Sequence, residues 1–360
     1  MIHSFSSRLM DSYLSVSILL LWGMITVSSC QKDPSPEPRP SADYTMPGGV
    51  FVLNEGNFRM ANGSITYFHS GKGILIHDIF RKANNRPTGD VIQDMKVING
   101  EAWIVANNSG RIETARLDSF VSTATITGIT SPRWLLQISP EKAYASDLYS
   151  TDIHILSLKN KEVSGRINTG KPAEALAMVD GKVFALHWSS LGGYNNNSLA
   201  VIDPLRDSVT EILVLRKEPN SMAVDHQGNL WVLCSGGFLF EETPALYCID
   251  PKNLEIIRVM EFHSPGAYPT RLCTNPGRDT LYYLNRDVYR LVPSDTKLTD
   301  EVLIPAEGRL FYGLGAGPQG IFVSDALDYQ QNGLVYVYDA KGNLLNSFTA
   351  GIIPGGFVFL

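Results

Sequence analysis

The side chains best suited to chemistry in this sequence are rings and amides grouped in four loop-like stretches. They read Asn54-Glu55-Gly56-Asn57-Phe58-Arg59-Met60-Ala61-Asn62-Gly63, then His187 to Asn197 with Trp188, Tyr194, Asn195 and Asn196, then Cys234 to Thr243 with Phe238 and Phe240, and last Asp325 to Gly333 with Tyr329, Gln330 and Gln331. Loop positions ordinarily favour polar residues, so large rings there need a packing partner or a ligand. Taken singly, each ring reads first as an anchor for its own loop; the grouping favours a ligand. The neighbouring amides each donate and accept, and fixed charge is sparse. Flat rings beside amide forks suit a large, rigid, neutral ligand rich in carbonyl and amide groups, rather than a phosphate or a small anion.

Motifs for enzymatic work are missing. There is no GxSxG elbow, HExxH, P-loop or CxxC pair. A hydrolase assembled from scattered loop residues such as Glu55, Asp147 and His187 stays open, because carboxylate pairing needs geometry to judge. Asn54, Asp147, Asn285 and Asp325 each stand three residues past an aromatic. That recurrence reads as side-chain capping of the loop start, with a metal site as the alternative.

The elements that would position these loops announce themselves by repetition. A small or aliphatic residue precedes an aromatic at Phe51, Trp103, Tyr144, Phe184, Trp231, Tyr282 and Phe322, spacings of 40 to 52 residues. Four-stranded propeller blades repeat at that interval, and no sustained helical period lies between the markers. A second marker, a turn and then a short apolar run, keeps step: Pro132-Arg133-Trp134-Leu135, Pro172-Ala173-Glu174-Ala175, Pro219-Asn220-Ser221-Met222, Pro269-Thr270-Arg271-Leu272 and, more loosely, Gly308 to Phe311. Proline is tolerated at a strand entrance, where its missing N–H breaks no ladder bond.

Calling the proline-led strands A and the aromatic-led strands B, six A-B-C-D sets are expected between about Val91 and Phe348. Residues 50 to 80 hold three further runs, the last from Ile74 to Phe80, while Pro354-Gly355-Gly356-Phe357-Val358-Phe359 repeats the A signature with nothing after it. The expected fold is therefore all-β, a seven-bladed β-propeller closed by pairing of the C-terminal strand with the N-terminal blade. In such a meander the B-C and D-A connections share one face, and that face receives the aromatic loops. The A-B and C-D links are Asp, Asn and Gly turns that imply no chemistry.

Composition is consistent with one repeat domain: 360 residues, 44% hydrophobic, with 31 Gly and 20 Pro. The net charge of −6 and the lack of a basic stripe exclude a nucleic-acid surface. Residues 1–29 read as a signal peptide ending in Val27-Ser28-Ser29-Cys30, which resembles the lipobox of bacterial lipoproteins and makes Cys30 the lipidation site. Residues 30–48 read as the lipidated cysteine and a proline-rich tether, and 49–360 as the propeller. Cys234 and Cys248 fall on neighbouring B and C strands and could pair; buried thiols are the other account, with Cys273 left over.

The run Val50-Phe51-Val52-Leu53-Asn54-Glu55-Gly56-Asn57-Phe58, followed by Asn62 to Phe68, resembles the opening of Bacteroidetes surface propellers of the YncE-like class. Within that class it is most similar to the surface cobalamin (vitamin B12)-binding lipoproteins. The resemblance implies no intrinsic cofactor and no catalysis, but capture of a corrinoid on the loop face, delivery to a TonB-dependent outer-membrane transporter, and attachment to the membrane through lipid alone. The ligand-binding residues expected on this reading are Phe58, Arg59, Trp188, Tyr194, Phe238, Phe240 and Tyr329, with Asn196 and Gln330 as amide partners. A lactonase-like propeller hydrolase and a structural or adhesion module are the rival readings.

Overall fold

The computed structural model describes residues 43–264 and 266–360. The expected signal peptide, Cys30 and most of the tether lie outside the described residues. From Asp43 the chain already packs on the propeller, since Tyr44 is 1% exposed and meets Tyr67 and Phe120 edge-on. No helix among the described residues is long and apolar enough to cross a membrane.

Seven antiparallel sheets form the ring. Strands β1 (Val50–Asn54), β2 (Ser64–His69) and β3 (Ile74–Ile76) belong to blade 1. Blade 2 holds β4–β7 (Ile92–Ile98, Glu101–Ala106, Arg111–Arg116, Ser122–Ile126) and blade 3 holds β8–β11 (Pro132–Gln137, Lys142–Asp147, Asp152–Ser157, Glu162–Asn168). Blade 4 holds β12–β15 (Leu176–Val179, Lys182–His187, Ser198–Asp203, Ser208–Val214) and blade 5 holds β16–β19 (Pro219–Val224, Leu230–Cys234, Ala245–Ile249, Ile256–Glu261). Blade 6 has only β20–β22 (Thr270–Thr274, Leu281–Asn285, Asp287–Leu291), and blade 7 has β23–β26 (Phe311–Gly317, Gly320–Asp325, Asn332–Tyr338, Leu344–Ile352). The last strand, β27 (Pro354–Phe359), pairs antiparallel with β1, from Val50 opposite Phe359 to Asn54 opposite Pro354. The ring is closed as the terminal sequences demand, and β1 is not left as an unpaired edge.

Two expectations about the strands need correction. The run from Ile74 to Phe80 is not one strand: Asp78 takes a left-handed conformation (φ 50°), and helix α1 (Ile79–Asn84) follows, burying Ile79 and Phe80. Blade 6 lacks its D strand. Between Val292 and Leu310 the only apolar run is Val302-Leu303-Ile304, cut off by Pro305, and it reaches β22 through an isolated bridge at Val288. A three-residue run stopped by proline cannot extend a ladder.

The core is divided among the blades. Seven apolar clusters each join two neighbouring blades, and the seventh closes the ring by packing Phe322, Val335 and Phe348 of blade 7 against Val50, Val52 and Phe68 of blade 1. All seven marker aromatics are buried in them, at 0 to 3% exposure. Among the described residues Cys234, Cys248 and Cys273 are free thiols. Cys234 lies opposite Ala245 and Cys248 opposite Trp231, so the two sulfurs sit three rungs apart and cannot bond. Burial pushes the Cys248 thiol up to about 11 and Cys273 up to about 12. Native protein at pH 8 is therefore expected to resist iodoacetamide for hours, because roughly one thiol in a thousand or fewer is ionised, and to label fully in urea. Rapid native labelling, read by intact mass, would contradict this packing.

Candidate functional site

A cavity of about 660 Å³ opens at the centre of the B-C and D-A face. Its construction starts in the inner strands. In six blades the pairing register of the inner strand slips just after the strand's first residue, between Ile92 and Asp94, Pro132 and Leu135, Pro219 and Ser221, Thr270 and Cys273, Phe311 and Leu314, and around Gly355 in β27. A β-bulge re-aims the extra side chain out of the sheet's alternation. Gln93, Arg133, Asn220, Arg271 and Tyr312 occupy these slipped positions, and all line the cavity. Blade 4 supplies Glu174, just ahead of β12, with its N–H bonded to the Leu186 carbonyl at 2.8 Å. In blade 1 the slot is Gly355, where a Cβ would stand 2.4 Å from Glu55 Oε1, so the glycine lets the Glu55 carboxyl lie across the floor.

The charges of this floor form two pairs of unlike quality. Arg133 grips Glu174 from Nε (2.8 and 3.0 Å) and Nη2 (2.6 Å), and its Nη1 donates to Gln93 Oε1 at 2.7 Å. Both side chains are nearly buried, at 14% and 11% exposure. Glu55 instead accepts the Tyr312 hydroxyl on both oxygens at 2.9 Å, and Arg271 Nη2 stays 3.7 Å away. Burial raises the Glu55 carboxyl above the usual range, against the pull of Arg271 and Tyr312. Burial and the Glu55 charge push the Tyr312 hydroxyl up in turn. The expectation of sparse fixed charge fails at this floor, because two arginines and two glutamates converge from blades 1, 3, 4 and 6.

Among the expected ligand-binding residues, Trp188 and Tyr329 line the cavity, and Tyr329 meets Tyr312 edge-on at 5.8 Å. Phe240 stands outside but touches the wall through Tyr268, 6.2 Å away. Phe58, Phe238, Phe240 and Tyr194 are 57%, 74%, 61% and 38% exposed on their loops, and the Arg59 guanidinium covers the Phe58 ring. Gln330 is exposed, with its backbone N–H on Asp328. Asn196 departs from the expectation of a ligand-facing amide: it is buried, and its backbone carbonyl accepts the Glu218 N–H at 2.8 Å. Asn57, Asn62 and Asn107 are likewise spent on loop bonds, Asn57 and Asn62 to each other and Asn107 to Ser131 and Pro132.

The capping reading of the recurrent Asn and Asp holds. Asp147 accepts the N–H groups of Thr130, Ser131 and Tyr149, Asp325 those of Leu310 and Leu327, Asn285 that of Tyr268 and Asn54 that of Gly351. Each one ties a B-C loop to the incoming D-A connection. Glu55, Asp147 and His187 are not assembled together. Asp147 is consumed in caps, His187 is buried against Ser198, and only Glu55 reaches the cavity. Sequence reasoning missed Gln93, Arg133, Glu174, Arg271, Tyr312 and Tyr268. The residue just behind the turn proline was the available signal for Arg133 and Asn220.

A family model described as a domain of unknown function, DUF5074, matches residues 48–350. The chain belongs to the DUF5074 family. No curated protein matches this DUF5074 propeller. Among solved structures it is similar to a quinoprotein alcohol dehydrogenase-like protein from Bacteroides thetaiotaomicron (12% identity, 87% of this chain and 78% of that one, TM-score 0.65). It is also similar to a provisional 6-phosphogluconolactonase from Bacteroides uniformis (12% identity, 87% and 99%, TM-score 0.63). A third is a dihydro-haem d1 dehydrogenase solved with DHE (10% identity, 89% and 77%, TM-score 0.59). At these identities the likeness concerns the fold.

Proposed function

We propose that this DUF5074 propeller captures a corrinoid of the vitamin B12 class on its B-C and D-A face and passes it, unaltered, to a TonB-dependent outer-membrane transporter, while lipid on Cys30 holds the protein at the cell surface. The observation that carries the reading is that the cavity and the exposed rings of Phe58, Tyr194, Phe238, Phe240 and Tyr329 belong to loops of one face. A cavity of 660 Å³ falls within the usual range for ligand pockets, about 300–1,000 Å³. A corrinoid is too large to sink into it and would stand across the mouth, where exposed rings give it flat apolar contact and Gln330 an amide partner. Exposed aromatic side chains on a single face are costly to keep in water without such a use.

The test is direct. Protein incubated with cyanocobalamin and freed of excess ligand is expected to elute red, and a Trp188→Ala, Tyr194→Ala variant to elute colourless with its melting temperature almost unchanged. A colourless wild-type fraction at micromolar protein would overturn the corrinoid reading.

One observation favours a second reading, a lactonase-like hydrolase. Glu55 is a carboxyl of raised pKa, 15% exposed at a cavity floor and hydrogen-bonded to a tyrosine hydroxyl, as an acid–base group would be. Hydrolysis of δ-gluconolactone above the buffer rate, abolished by Glu55→Gln, would establish it in place of capture.

A further inference from the structure

We propose that the cavity floor contains an oxyanion subsite in which the Arg271 guanidinium receives a carboxylate or phosphate group of the bound molecule. Arg271 is aimed by its backbone: it sits in the β20 bulge with φ 59°, a left-handed conformation uncommon outside glycine. Its Nε donates to the Tyr312 carbonyl at 3.1 Å, and the guanidinium lies over the Tyr312 ring, 5.0 Å from the centroid. These two contacts fix the plane of the fork without using its ends. None of its terminal N–H groups makes a hydrogen bond among the described residues, and the nearest carboxylate oxygen, on Glu55, is 3.7 Å off.

The equivalent arginine in blade 3 shows what a structural role looks like. Arg133 has its fork filled by Glu174 and Gln93. Arg271 keeps a planar set of donors turned to the cavity that it lines, and planar donor forks match the two oxygens of a carboxylate or phosphate. Arg286, in the β21–β22 turn of the same blade, lines the same cavity with its side chain 83% exposed and 3.8 Å from Asp287, a positive charge at the rim on that side. The notion of a wholly neutral ligand gives way to one with an acidic group at its inserted end. The inference concerns the pocket floor and holds for any occupant, corrinoid or not.

Glu55 makes the subsite pH-sensitive. The groups facing it are Arg271, Tyr312, Arg133, Glu174 and Tyr329; the Arg133 and Glu174 charges are spent on each other. While ionised, Glu55 competes with an incoming anion for Arg271. Burial raises its carboxyl, so protonation begins closer to neutrality, and anion binding strengthens as pH falls through that range.

The full-length chain in detergent is melted with increasing inorganic phosphate, and separately acetate, against chloride of equal ionic strength. Phosphate or acetate is expected to raise the melting temperature of the wild type. Arg271→Gln should weaken the apparent affinity about tenfold or more, and Arg271→Lys should recover part of it as a point charge. With acetate, whose own charge stays constant until far below neutrality, Glu55→Gln should bind more tightly at pH 7.5 and lose the strengthening that the wild type shows at lower pH. An Arg271→Gln response equal to wild type would overturn the proposal. If that variant does not fold, a Glu55→Gln response identical to wild type at both pH values overturns it equally, and retention of cyanocobalamin has no bearing on either outcome.

Discussion

Deleting Pro354–Leu360 is expected to leave no stable folded monomer at 25 °C. The seven residues supply the whole inner strand of blade 1, paired with Val50 to Asn54, and two further backbone bonds join Leu360 to Gly48 and Gly49. Phe357 and Phe359 pack on Phe322 at 5.6 and 5.2 Å, across the joint between blades 7 and 1. About six lost hydrogen bonds at about 1 kcal/mol each, with about 1.5–3 kcal/mol for each ring returned to water, approach 10 kcal/mol. A single domain has about 5–15 kcal/mol to lose. The deletion also frees the N–H and C=O row of β1 and uncovers Val50 and Val52, inviting strand addition from another molecule. Circular dichroism melting and limited proteolysis read the effect, and a synthetic peptide of the missing sequence should restore part of the transition. A truncated protein melting within a few degrees of the parent would mean that the ring is held by something other than this strand.

Glu174→Ala is the second large effect. It strands the Arg133 guanidinium, 14% exposed, without its carboxylate, and removing one member of a buried pair costs about 3–5 kcal/mol. The loss comes from the unpaired charge and not from the worth of the pair. A double change, Arg133→Met with Glu174→Met, should therefore recover most of the stability in urea unfolding, while the single changes do not. Near-additive losses in the double variant would show that the two residues act separately. Ligand retention separates the roles further, since the double variant would be folded with an altered cavity floor.

Much of the scaffold was legible before any coordinates. Marker aromatics such as Trp103 and Trp231 are buried at the joints between their own and the next blade, and a local apolar–aromatic pair reports a local strand. The turns told the same story, as at Asp339, whose carboxylate takes the N–H groups of Lys341 and Asn343. The loop rings were legible too, because an exposed Phe238 or Phe240 contradicts its setting. The missing D strand of blade 6 and the helix at Ile79 were not: Val302-Leu303-Ile304 and Ile79-Phe80 are apolar whether they form a strand, a helix or a single bridge, and only the pairing partner decides which.

The primary chain alone determined the number of blades, the joining of its ends and the face on which its long loops gather, because strand periodicity, turn chemistry and repeat length act over a few residues. Only the tertiary structure decided what stands at the centre. Arg133, Glu174, Arg271, Tyr312 and Glu55 are dispersed over more than 250 residues of sequence, and Arg133, Arg271 and Tyr312 are turned inward by bulges, Glu55 by a glycine slot and Glu174 from ahead of its strand, none of which strand alternation encodes. Whether an arginine is neutralised or left with donors to offer depends on a partner from another blade, and that distance exists only once the ring has closed.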